Sequence, residues 1–211
     1  ASRGLGDVYK RQGGDPLALS PRRLGEVMQK LAEIAHVKVV RIHTRVPVVD
    51  SARIDAEMLQ ALHLFPRALY VALHANHPRE LSMEARAACA RLIESGIAMV
   101  SQSVLLRGVN DDAEVLADLM RAFVETRIKP YYLHHPDLAP GTGHLRVSIE
   151  EGQRLVRQLL GRVSGLCQPA YVLDIPGGFG KSPIGPVYLR ADAQGHEVED
   201  FQGQRHRYRD G

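Results

Sequence analysis

The stretch ALYVALHANHP, residues 68–78, decides the fold of this 211-residue chain. It is an almost unbroken apolar run that ends in polar residues. Strands buried on both faces of a parallel sheet have such continuous runs, whereas strands with one wet face alternate. Similar runs recur as VKVVRI at 37–42, IAMVSQSVLL at 97–106 and IKPYYL at 128–133. Their spacing is close to the roughly thirty residues of a strand–helix unit.

Helical patterns lie between these runs. Helix starts are predicted at Ser20, Ser82 and Ser148, and Glu151 completes a capping box with Ser148. Residues 51–65 give a less clear helical pattern. Repeated strand–helix units predict an α/β chain, either a TIM-type barrel or a doubly wound sheet. Beyond residue 187 the pattern changes and predicts a β-hairpin around Gln194 and Gly195.

In both folds functional groups gather at the carboxyl ends of the strands. Polar residues collect there in this sequence: His43, Arg45, His74, Asn76, His77, Gln102, His134, His135 and Asp137. Several histidines at strand ends make a metal site conceivable, and a metal-dependent barrel hydrolase is one hypothesis. No carboxylate is spaced to complete a metal motif, so we expect hydrogen-bonding roles for these histidines and no metal ligands.

Composition limits the kinds of partner that we expect for this protein. The net charge of +3 is spread along the chain and aromatic residues make up 5%, which is unlike a nucleic-acid-binding surface. No apolar run is long enough to cross a membrane. The two cysteines, Cys89 and Cys167, form no disulfide framework, and we expect both to be core residues of a cytoplasmic protein.

The first twelve residues fit nothing that follows. DVYKRQ at 7–12 can be read in frame from the end of a common transposon-based sequencing adapter. We therefore expect residues 1–12 to be an adapter artefact and the protein to begin, already truncated, at Gly13.

The stretch YVLDIPGGFGKSP, residues 171–183, places Lys181 after a glycine-rich turn. A phosphate loop would need glycine where Ile175 stands and a helix where Pro183 and Pro186 follow. A nucleotide loop is therefore disfavoured. The lysine is either a solvated surface group or an amine that forms a Schiff base with a carbonyl cofactor.

Two carboxylates and one loop complete the candidate site. Asp137 and Asp174 each end a strand-like run, and a shared pocket would need a cation between them. They could serve as an acid–base pair, as an ammonium cradle, or simply as turn caps. Gly14 and Asp15 lie in GGDP, which is either a loop that binds a small amine or an ordinary turn.

Together these motifs resemble one family. GGDPL, VVRIHTRVPVV, HANHP, SQSVLLRGVND, KPYYLHHPDLAPGTGH and VLDIPGGFGKSP are similar, in order and spacing, to the lysine 2,3-aminomutases, over Gly13 to Leu189. The resemblance implies a partial TIM-type (βα)6 radical-SAM barrel, here only its C-terminal βα units, with a C-terminal β-hairpin extension. It divides the chain into 1–12, a barrel part at 13–165, and a lysine-loop and β-rich part at 166–211.

The resemblance also implies site roles. Lys181 would carry pyridoxal 5′-phosphate, and Asp137 and Asp174 would bind the far ammonium of the substrate. Gly14 and Asp15 would contact S-adenosylmethionine, with His74 and Gln102 near the cofactors. The implied reaction interconverts L-lysine and L-β-lysine through a deoxyadenosyl radical made at a [4Fe-4S] cluster. A one-electron reductant such as flavodoxin or ferredoxin and a homo-oligomer are also implied.

The chain departs from the family in two places. The cluster motif C-x-x-x-C-x-x-C is absent, so the implied activity belongs to an intact parent. Asp112 stands where some members have a zinc-binding cysteine, and no zinc is expected. An aminomutase for another amino acid, or one serving β-lysylation of an elongation factor, remains an alternative.

Overall fold

The computed structural model of the protein describes residues 14–193 and 195–209. The predicted adapter sequence at 1–12 lies outside the described residues, as does Gln194 of the predicted hairpin.

Six strands form the main sheet, in the order β1-β2-β3-β4-β5-β6. Their bounds are β1 Val39–Thr44, β2 Ala68–His74, β3 Ala98–Val104, β4 Lys129–His134, β5 Ala170–Asp174 and β6 Lys181–Pro183. The first five strands pair in parallel, and β6 returns antiparallel to β5. The predicted α/β fold with a mostly parallel sheet is confirmed, and each of the four apolar runs overlaps a strand.

Helices connect these strands. They are α1 Pro21–Glu33, α2 Val46–Val49, α3 Ala56–His63, α4 Met83–Glu94, α5 Ala113–Glu125 and α6 Ile149–Leu159. The three predicted serine caps are confirmed, and Ser148 and Glu151 form the reciprocal capping box. The unclear segment 51–65 holds a short 3₁₀ turn and α3, which begins after the cap Asp55. Among the described residues no helix is long and apolar enough to cross a membrane.

The main sheet has two unlike faces. On one face Ile42, Val71, Leu73 and Leu133 are buried in the core against the helices. Side chains alternate along each strand, so the residues between them point to the opposite side. That side, which we call the open face, carries polar groups near the carboxyl ends of the strands: Arg41, His43, His74, Gln102, Tyr132, His134 and Asp174.

Helix α6 approaches β5 closely. A Cβ atom on Gly152 would lie 2.0 Å from Tyr171 Oη, so only glycine lets the helix come this near. Tyr171 is buried, and its hydroxyl lies 2.7 Å from His135 Nδ1. This packing holds β5 in place at Tyr171, three residues before Asp174. It therefore also fixes the end of the strand that carries the Asp174 carboxylate.

Three further strands form a small antiparallel sheet: β7 Leu189–Asp192, β8 Gly195–Glu199 and β9 Arg205–Tyr208. The pairing of β7 with β8 is that of the predicted hairpin, whereas β9 was not predicted. Arg157 of α6 holds this sheet, because it pairs with Glu199 and lies 5.0 Å from the ring centre of Tyr188. The division at residue 165 stays a prediction; β5 and β6, which follow it, hydrogen-bond within the main sheet.

Candidate active site

Three side chains meet at the β5–β6 end of the open face. The antiparallel register places Lys181 opposite Asp174. Lys181 Nζ donates to Asp174 Oδ1, and His134 Nδ1 lies 2.9 Å from Asp174 Oδ2. The sequence singled out all three residues, and the structure brings them together as one cluster.

The turn before Lys181 explains its glycines. Ile175 N donates to Gly180 O at 2.8 Å, which closes the turn between β5 and β6. Gly177, Gly178 and Gly180 have φ values of 90°, 83° and 91°, a region that glycine adopts without strain. A strand, not a helix, begins at the lysine, as the prolines that follow it predicted.

Charge in the cluster is governed by burial and hydrogen bonds. Burial acts to raise the pKa of Asp174, but hydrogen bonds from Lys181 and His134 outweigh it and the pKa lies below its ordinary value. Burial lowers the pKa of His134, although Asp174 and Asp137 act in the opposite direction. The stable charges are therefore an anionic Asp174 and a neutral His134 at neutral pH.

A second polar network crosses the open face from β1 to β4. His43 Nδ1 lies 2.7 Å from Gln102 Oε1, and Arg41 Nε lies 3.0 Å from His43 Nε2. Arg41 also contacts Tyr131, whose hydroxyl donates to Tyr132 at 3.0 Å. Gln102, predicted to lie near a cofactor, is thus fixed in place. The roles of Arg41 and the two tyrosines were missed, since nothing in their spacing marks them.

The residues of HANHP, at 74–78, mainly stabilise the backbone at the carboxyl end of β2. His74 Nε2 lies 3.2 Å from Asn76 Oδ1, and burial lowers the pKa of His74. His77 caps the following 3₁₀ turn together with Glu80, whose Oε1 accepts from the backbone N–H of Asn76 and His77. In the described part of the chain no three His, Cys, Asp or Glu side chains are arranged to hold a metal. The hydrolase hypothesis therefore gains no support.

Asp15 connects the GGDP loop to β1. Its Oδ2 accepts from Thr44 Oγ1 at 2.9 Å and from the Arg45 N–H at 2.7 Å, and its Oδ1 accepts from the Leu17 N–H at 3.0 Å. An ionised carboxylate offers about four acceptor positions, so roughly one remains for a ligand. Gly14 has a φ of 64°, which explains glycine at that position.

Asp137 lies in the loop after β4 and is exposed. It is near enough to His134 to raise the pKa of that imidazole. The two predicted carboxylates, Asp137 and Asp174, therefore both act on His134, but Asp174 alone is hydrogen-bonded to it.

Comparison with known proteins gives these residues a context. The chain is 39% identical over 194 residues to an L-lysine 2,3-aminomutase from Clostridium subterminale, across 90% of this chain and 46% of the relative. The chain is a homologue of the L-lysine 2,3-aminomutases. A glutamate 2,3-aminomutase from Clostridioides difficile is 36% identical over 84% of this chain and 42% of its own length. The chain thus spans about half the length of the curated aminomutases it matches.

Two other comparisons add less. No protein-family model matches the chain. A radical SAM methyltransferase structure from Sphaerobacter thermophilus is 25% identical over 64% of this chain and 40% of that chain, with a TM-score of 0.40. That score is too low to establish a shared fold.

Asn110 is a structural residue that the sequence did not single out, within the SQSVLLRGVND segment of this aminomutase homologue. It is fully buried; its Nδ2 donates to Asn76 O at 2.8 Å and to Val104 O at 2.9 Å. Its Oδ1 accepts from the Leu106 N–H at 2.7 Å. Asn110 therefore ties together the carboxyl ends of β2 and β3, where His74 and Gln102 lie.

Replacement of Asn110 by alanine should destabilise the protein. Three backbone groups would lose a hydrogen bond to Asn110. A hydrogen bond contributes about 0.5–1.5 kcal/mol net, so we expect about 1.5–4.5 kcal/mol less unfolding free energy. Urea unfolding measures this change. Gln202→Ala, in an exposed turn, is the control and should change stability by less than about 0.5 kcal/mol. Equal stability of the two variants would contradict the assignment.

Both cysteines lie in the core, as predicted. Burial raises the pKa of the Cys89 thiol to about 12, so it stays protonated at neutral pH. A protonated buried thiol is a poor metal ligand.

Proposed function

We propose that the protein carrying this chain is a radical S-adenosylmethionine 2,3-aminomutase that interconverts L-lysine and L-β-lysine. The observation that supports it most is the juxtaposition of Lys181 and Asp174. One residue is an amine suited to a carbonyl cofactor, and the other is a carboxylate suited to the far ammonium of lysine. The similarity to aminomutases supports the assignment of this pair to a functional site.

The residues around Lys181 fit pyridoxal 5′-phosphate. The Lys181 side chain is 27% exposed at the end of the open face and can reach a ligand from a glycine-hinged strand. The pKa of Tyr131 lies below its ordinary value, first through its hydrogen bond with Tyr132 and also through the charge of Lys181, so the amine lies close to aromatic rings. When bound, pyridoxal phosphate bonds amines covalently and spreads charge or an unpaired electron over its ring.

Charge supports lysine as the substrate. Asp174 is anionic, and Asp137 adds a second carboxylate nearby. Two carboxylates attract an ammonium and repel a carboxylate, which disfavours a glutamate side chain. The alternative of a glutamate mutase, raised by the Clostridioides difficile relative, is therefore the weaker one.

The remaining assignments concern the strand ends. We assign His74 and Gln102 to the wall of the cofactor site and Gly14 with Asp15 to S-adenosylmethionine, whose amine could take the remaining acceptor position of Asp15. The sheet would be part of a (βα)6 barrel with the open face inside. There the residues of this chain would orient the ligands and keep water from the reacting atoms.

The cysteines of this chain do not fit an iron–sulfur cluster. Cys89 and Cys167 are the two cysteines in the sequence, and both are buried among apolar side chains. Cluster ligation requires several cysteine thiolates arranged around one site. No step through the cluster is therefore assigned to residues of this chain. The cluster ligands would lie elsewhere in the proposed protein, and a separate flavodoxin or ferredoxin would supply the electron.

The test begins with cofactor attachment. Incubation of the chain with pyridoxal phosphate, followed by borohydride reduction and peptide mapping, should place one pyridoxyl group on Lys181. The protein with its cluster should then convert lysine, and not glutamate, to the β-amino acid. Pyridoxyl groups spread over surface lysines, with Lys181 unlabelled, would reject the function.

A further inference from the structure

We propose that His134 is a positioning residue that holds one oxygen of Asp174, so that the other oxygen faces the ammonium to be bound. The proposal deepens the proposed function, because it concerns the residue assigned to the substrate ammonium. It adds a side chain of β4 to the pair formed by Asp174 of β5 and Lys181 of β6.

The contacts of Asp174 are divided between its two oxygens. Oδ2 lies 2.9 Å from His134 Nδ1, whereas Oδ1 accepts from Lys181 Nζ. An aspartate carboxylate turns easily about its terminal torsion. A hydrogen bond to one oxygen stops this rotation and leaves the second oxygen with a fixed direction.

The protonation state of His134 follows from its surroundings. An ionised carboxylate accepts only, so the proton between the two groups sits on His134 Nδ1. His134 Nε2 is buried and has no hydrogen-bond partner among the described residues. A second proton there would be a buried unpaired donor on a cation, which is costly. His134 is therefore a neutral imidazole with a fixed Nδ1–H, aimed at Asp174.

The groups around His134 act in opposite directions. Asp174 and Asp137 favour its protonation, while Lys181 opposes it. His74 of β2 is near enough to feel its charge, and the Tyr132 ring lies edge-on at 5.6 Å. Burial of the His134 ring outweighs the effect of the two carboxylates, so His134 is neutral. It therefore stays a neutral donor when a substrate ammonium approaches Asp174 in addition to the ammonium of Lys181.

Two variants test this role. His134→Leu removes the donor with a side chain of similar width, and His134→Asn restores an N–H near the Nδ1 position. The first readout is the titration of Asp174, followed by carbon-13 NMR of its carboxyl carbon in the chain without cofactor. The second is lysine affinity of the cofactor-loaded protein. Thermal unfolding shows that both variants fold.

We expect the pKa of Asp174 to rise in His134→Leu and to stay near the wild-type value in His134→Asn. Lysine affinity should fall about tenfold in His134→Leu, the size expected for loss of a hydrogen bond to a charged group, and recover in His134→Asn. Maximal turnover should change much less. An unchanged Asp174 titration in a folded His134→Leu variant would overturn the proposal. Since that titration needs no cofactor, it separates this proposal from the function, which fails if Lys181 takes no pyridoxyl group.

Discussion

In Lys181→Ala, covalent attachment of pyridoxal phosphate should fall to background and turnover should fall by on the order of a thousandfold or more, as when a residue bonded to the reacting group is removed. The physical reason is that alanine offers no amine at the start of β6. Absorbance of the protein–cofactor adduct, and peptide mass after borohydride reduction, measure the loss.

Lys30→Ala is the matched control. Lys30 is an exposed lysine of α1, so its removal tests whether labelling follows accessibility alone. We expect full attachment in Lys30→Ala. Undiminished absorbance and labelling in Lys181→Ala would show that the cofactor bonds elsewhere and that the assignment is wrong.

Asp174→Asn should weaken lysine binding about 10- to 100-fold, which corresponds to the loss of about 1.5–3 kcal/mol for a charge-assisted hydrogen bond. Asparagine keeps the shape and can still accept from His134, so the change removes charge and little else. Cofactor loading should change much less than lysine affinity. Titration of the loaded protein with lysine and, separately, with pyridoxal phosphate gives the two affinities.

Asp118→Asn is the control for this variant. Asp118 is exposed on α5 and pairs with Arg121, so its neutralisation changes net charge equally without touching the open face. We expect both affinities to stay at the wild-type level. If Asp174→Asn lost lysine and cofactor affinity in equal measure, Asp174 would support the whole site and would not be an ammonium ligand.

The sequence predicted local structure well where the pattern is local. The strand runs, the three serine caps and the glycine turn before Lys181 were all found from residue type and spacing, because backbone preferences act over a few residues. Short elements were predicted less well. The helical pattern at 51–65 was unclear, because the segment divides into short pieces, although α3 does lie there. The strand β9 was not predicted, since it has four residues and its pairing with β8 is set by the fold.

The site was predicted in part. Lys181, Asp174 and Gln102 were singled out, and the structure shows their partners. Glu80 could have been found, since it stands three residues after His77 in a capping pattern. Asn110 and Arg41 could not, because each acts on residues distant in sequence.

The sequence by itself determined the alternation of strands and helices and the positions of the helix starts. It also determined that Lys181 follows a glycine turn and that no helix can continue from that turn. These follow from hydrophobic period, capping and the φ values open to glycine and proline. The tertiary structure decided that β6 returns antiparallel, which sets Lys181 against Asp174, and that His134 of the neighbouring strand holds that carboxylate. Such contacts join residues 7 and 40 positions apart, and only strand pairing fixes their distance.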